Sequence, residues 1–148
     1  MTGLANSTTY TFRVSAVNAA GTGTPSATTN ATTATTPDAP TSLGVMGGMV
    51  ADISIYLQWL APASNGGAAT DGYIVEYSTD SGETWVAVSF AEGGGDICIP
   101  NIPDPEQCYF MLRGLVPETS YTIRVSAVNS AGTGSPSDSL NVTTTETL

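Results

Sequence analysis

The chain has 148 residues, thirteen of them acidic against three basic, with no histidine and a formal net charge of −10. Arg13, Arg113 and Arg124 are the whole cationic complement, too little to neutralise a phosphate backbone or to hold an anionic bilayer surface. Nucleic-acid partners and membrane insertion are therefore set aside. The absence of histidine removes the usual general base near neutral pH, the Ser-His-Asp and Cys-His sites, and the commonest metal ligand.

In chain order, the first feature is a segment that returns later. Residues 3–26 read GLANSTTYTFRVSAVNAAGTGTPS and residues 114–137 read GLVPETSYTIRVSAVNSAGTGSPS. Without gaps, 17 of 24 positions are identical, at an offset of 111 residues from Gly3 to Gly114. Self-similarity of this kind marks a repeated module. The expected organisation is a partial module over 1–36, holding the last two strands, and a complete one over 37–148.

Tyr10, Phe12, Val14 and Ala16 alternate with Thr11, Arg13, Ser15 and Val17, the period of a strand with one buried face. Asn-x-Ala-Gly-Thr-Gly-x-Pro-Ser then reads as a turn-rich loop, and 27–36 as a Thr-rich second strand. Pro37-Asp38-Ala39-Pro40 punctuates the boundary as a short, stiff linker. In the complete module a short strand is predicted over 42–46. A long one follows over 52–60, with Ile53, Ile55, Leu57 and Trp59 on one face. Further strands are predicted over 73–78, 85–90, 109–115, 121–127 and 139–145. Short strands separated by turn signals indicate an all-β sandwich.

Several of these residues together resemble the fibronectin type III module, an immunoglobulin-like β-sandwich. Ala39-Pro40-Thr41-Ser42-Leu43 looks like its first strand, Trp59 like the core Trp of the second, and Gly72-Tyr73-Ile74-Val75-Glu76-Tyr77 like the third. Gly114-Leu115 leading to Tyr121 resembles the corner before the sixth strand. There Tyr121 is expected to bury its ring and return its hydroxyl to nearby backbone. Trp59, Tyr73, Leu115 and Tyr121 are the expected core. By the same match, Leu4 and Tyr10 form the corner of the partial copy. No Arg-Gly-Asp follows Asn129, so integrin binding has no support.

Between Phe90 and Tyr109 the chain carries extra sequence, flanked by its only cysteines, Cys98 and Cys108. A structural disulfide across this short loop is expected, with two reduced thiols as the other reading. A metal site would lack half its shell. Glu92, Asp96, Asp104 and Glu106 read as a solvated acidic loop, with Ca²⁺ coordination as the sharper reading. Residues 78–85, STDSGETW, match the Asp-box hairpin pattern, a folding device remote from catalysis where it is familiar. No residue set performs chemistry, so neither cofactor nor enzymatic activity is expected.

Tyr10, Phe12 and Val14 form a candidate assembly hairpin. A lone hairpin with an apolar face is marginal in water. Either the segment was cut from a tandem array, or its start is a misplaced gene start, or it completes a sandwich in another subunit or copy of the chain. Residues 1–6 show no secretory signal, and a virion component needs none. The expected role is a non-catalytic structural or interaction module of an extracellular, cell-surface, fibre or virion assembly. The alternative is a spacer or carbohydrate-binding accessory module of a secreted polysaccharide-degrading enzyme.

Overall fold

A computed structural model describes residues 3–6, 8–88, 97–99 as backbone, and 107–147. Among these residues all regular structure is strand. The N-terminal unit holds β1 (Thr9–Phe12), β2 (Val17–Asn18), β3 (Gly21–Thr22) and β4 (Thr29–Thr32). The second unit holds β5 (Thr41–Val50), β6 (Ser54–Leu60), β7 (Thr70–Ser78), β8 (Val86–Val88) and β9 (Ile97–Ile99). It continues through β10 (Gln107–Arg113), β11 (Ser120–Asn129), β12 (Gly132–Thr133) and β13 (Leu140–Thr143).

The second unit is a sandwich of two antiparallel sheets. One runs β5-β6-β10-β9; the other runs β11-β7-β8, with β12 and β13 on the free side of β11. Period-two alternation explains which residues meet. Ile55, Leu57 and Trp59 from β6 and Cys108, Phe110 and Leu112 from β10 face Tyr73 and Val75 from β7 and Tyr121, Ile123, Val125 and Ala127 from β11. Each of the larger side chains contributes roughly 1.5–3 kcal/mol by leaving water. Trp59 and Tyr73 meet across the two layers edge to face, with centroids 5.3 Å apart. Leu115, on the loop after β10, closes one end of this core.

Three sequence expectations are corrected. Ile53 does not join the inward row: it is 54% exposed and precedes β6. Asp52 accepts its N–H, and Ala51 donates to the Ser54 carbonyl, so the chain turns over residues 51–53 and strand begins at Ser54. The first strand is longer than expected, because a register shift between Val45 and Val50 accommodates Gly47 and Gly48 at positive φ. Finally, β1 stops at Phe12, whereas its counterpart β11 runs on to Asn129. Among the described residues, the strand that pairs β11 from Arg124 to Ala127 is β7, and β1 pairs only with β4.

The Tyr121 hydroxyl accepts the Val116 N–H at 2.9 Å, and its ring lies edge to face on Tyr77 at 5.5 Å. Replacing Tyr121 with Phe leaves a donor unpaired and is expected to cost roughly 1–2 kcal/mol of stability in urea unfolding. Tyr10→Phe, which removes the equivalent bond to Ala5 at 2.9 Å, is expected to leave the same transition within about 0.5 kcal/mol.

Candidate functional site

The N-terminal hairpin keeps the geometry of β11 and β13 without the sandwich that surrounds them. Thr9, Tyr10, Thr11 and Phe12 oppose Thr32, Ala31, Asn30 and Thr29; their counterparts Ser120, Tyr121, Thr122 and Ile123 oppose Thr143, Val142, Asn141 and Leu140. The Thr11 hydroxyl donates to Asn30 at 2.8 Å, and Thr122 to Asn141 at 2.9 Å. The Ser26 and Ser137 amides donate to the Val14 and Val125 carbonyls, each at 2.8 Å. Both hairpins also close through the same Asx turn, at Asn18 and at Asn129. Local chemistry alone thus specifies this element.

Its surroundings differ. In the complete module Arg124 pairs with Glu76 of β7 at 2.7 Å, and its guanidinium lies 3.9 Å from the centre of the Trp85 ring. Its counterpart Arg13 is exposed. Val125 is fully buried, whereas Val14 is 74% exposed. Tyr10 and Phe12 are half-buried, with ring centroids 6.4 Å apart. In the complete module β7 covers the edge equivalent to the outer edge of β1, and the β6–β10 sheet covers the equivalent apolar row.

Trp59, Tyr73, Leu115 and Tyr121 all lie in the core and not at this surface. Trp85 offers no free aromatic platform on the face that Arg124 covers. Cys108 is buried, and the β9–β10 ladder sets Cys98 directly opposite it. Opposed antiparallel residues have Cα atoms about 4.5–5.5 Å apart, a separation that a disulfide spans. The Cys98 side chain and the acidic residues Glu92, Asp96, Asp104 and Glu106 lie outside the described residues. Among the described residues, no group of three potential ligands could hold a metal ion, and no helix is long and apolar enough to cross a membrane.

The fibronectin type III domain profile matches residues 38–143. The chain belongs to the fibronectin type III family. Fibronectin type-III domain-containing protein 3a of Gallus gallus is 35% identical over 143 residues, covering 95% of this chain and 11% of that protein. Fast-type myosin-binding protein C of Homo sapiens is 34% identical over 129 residues, covering 86% of this chain and 10% of that one. The crystal structure of domains A168-A170 from titin superposes with a TM-score of 0.60 at 28% identity, over 81% of this chain and 37% of that one. The chain spans about a tenth of the length of these two curated relatives.

Within this fibronectin type III module, sequence reading missed one residue that the structure singles out. Asn129 reads as a turn former, yet it is buried and donates to two backbone carbonyls outside its own loop, Thr35 at 2.7 Å and Asn65 at 2.8 Å. The available signal was its identity with Asn18 in the repeat.

The Asp-box residues form the turn between β7 and β8. The buried Ser78 hydroxyl accepts the Gly82 N–H at 2.8 Å, and Asp80 accepts the Ser78 hydroxyl and the Thr84 hydroxyl and N–H. These donors, the Ser78 hydroxyl first, favour the carboxylate and hold Asp80 well below its ordinary 3.8. A carboxyl depressed on folding stabilises the folded state above its unfolded pKa, and that stabilisation fades as pH falls. The turn presents Trp85 to Arg124. The melting temperature is therefore expected to lose the Asp80 contribution progressively as pH falls below about 4. In Asp80→Asn the melting temperature at pH 7 should fall, and its further drop in acid should be smaller than in the unchanged chain.

Proposed function

We propose that this chain is a non-catalytic structural segment of a tandem fibronectin type III array, working by protein–protein contact in a surface, fibre or virion assembly. The observation that carries this reading is the N-terminal hairpin. It holds the register and hydrogen bonds of β11 and β13 while Val14 is exposed, Tyr10 and Phe12 are only half-buried, and β1 pairs only with β4 among the described residues. An uncovered strand edge is a template for another strand. The partner supplies the strand that β7 supplies in the complete module, from a protein subunit or another copy of the chain. A heterologous contact of this kind propagates head to tail.

Three further observations support the reading. The similarity to the Gallus gallus protein covers 95% of this chain, so it runs through both units. Fibronectin type III relatives such as fast-type myosin-binding protein C are about ten times longer than this chain, as multi-module proteins are. A Cys98–Cys108 disulfide, which the opposed register favours, suits an oxidising setting outside the cytosol.

Native mass by light scattering tests the proposal, for the chain and for the same chain with Phe12 and Val14 changed to Arg. Association that rises with concentration in the first and vanishes in the second is expected. Equal association in both, or none in either, would overturn it.

A further inference from the structure

The segment joining the two units is held along its length by the complete module. The Thr35 N–H donates to the Gly66 carbonyl at 2.9 Å and the Asp38 N–H to the Ser64 carbonyl at 3.0 Å. The Asn129 carboxamide grips the same stretch from the other side, donating to the Thr35 and Asn65 carbonyls. Thr35 is thus bonded through both its backbone groups. Its side chain supplies none of these bonds, so the contact reads main chain rather than side chain.

Two glycines let the chain come this close. A Cβ on Gly66 would stand 2.1 Å from the Thr35 carbonyl oxygen, and Gly66 sits at a φ of +72° that glycine favours. A Cβ on Gly134 would stand 2.3 Å from the Pro37 carbonyl oxygen. No flexible side chain is involved in either approach, so a substitution must displace backbone.

The repeat provides an internal comparison. Residues 32–37 read TTATTP and residues 143–148 read TTTETL, in the same place after the last strand. Where the segment meets the following module, Thr35 and Thr36 are half-buried and Pro37 is buried. In the second copy Glu146 and Thr147 are exposed. Asn18 forms the same Asx turn as Asn129 but is exposed, with its amide directed at no tail among the described residues.

We infer that the end of the module formed by Ser64–Gly66, Asn129 and Gly134 is a clamp for the tail of the preceding repeat, and that it fixes the angle between consecutive modules. The partner is an extended Thr-rich tail of the same repeat type, recognised through its backbone. Asn18 marks the same clamp one module earlier. Stiffness at the joint comes from this docking, with Pro37 assisting. An array built this way is a jointless rod rather than beads on a flexible string. The inference is independent of whether the hairpin recruits a partner.

Asn129→Asp separates the clamp from the turn. The aspartate keeps the acceptor that caps Ala131 at 2.8 Å, but it loses the NH₂ donor and places a carboxylate against two carbonyls. Amide hydrogen exchange in the full chain provides the readout. The Thr35 and Asp38 amides are expected to be protected in the unchanged chain and to exchange about tenfold faster or more in Asn129→Asp, with β11 core amides unchanged. Gly134→Ala should release the same two amides. Unprotected amides in the unchanged chain, unchanged rates in both variants, or loss of protection throughout the sandwich would each overturn the clamp.

Discussion

The ladder between β7 and β11 is the contact on which the rest of this structure depends. It runs from Thr122 opposite Ser78 to Asn129 opposite Thr70 and carries β11 through the middle of its sheet. With β7 in place, Tyr121 finds Tyr77, Arg124 finds Glu76 and Trp85, and Val125 and Ala127 turn into a closed core. Without β7 and the opposing sheet, the near-identical residues of the first copy leave the strand from Arg13 to Ala16, and Val14 faces solvent. One sequence in two surroundings therefore separates local from tertiary specification. Turn chemistry and hydroxyl pairs set the hairpin register, while burial sets how far the strand extends.

The fold was legible where its cause is local. Alternation placed Ile55, Leu57 and Trp59 on one face, and the resemblance to the fibronectin type III module placed Leu115 and Tyr121 at a corner. The same alternation extended one step too far to Ile53, because the Asp52 carboxylate and the Ala51–Ser54 backbone bond turn the chain there. Asn129 was legible only as a turn former. Its second role needs Thr35, 94 residues away, and no local pattern encodes so distant a partner. The extent of β1 was misjudged for a related reason: a strand pattern states which face wants burial, not whether anything is there to bury it.

Fibronectin type III sandwiches carry many roles, so the fold by itself names none of them. What the structure adds is a junction in which two glycines and one asparagine hold the main chain. On the proposed reading of a structural segment, a defined angle at each joint would come from the clamp and a defined way of extending from the hairpin.

Ser26 and Ser137 allow the most direct measurement, because both donate the same backbone bond at 2.8 Å and only their surroundings differ. Their amide signals would be followed by NMR through a urea titration of the dilute, monomeric chain. The expected result is two transitions, with Ser26 released at much lower urea than Ser137, which should unfold with the sandwich. A single coincident transition would contradict this picture, since it would make the hairpin stable without the strand it is held to lack.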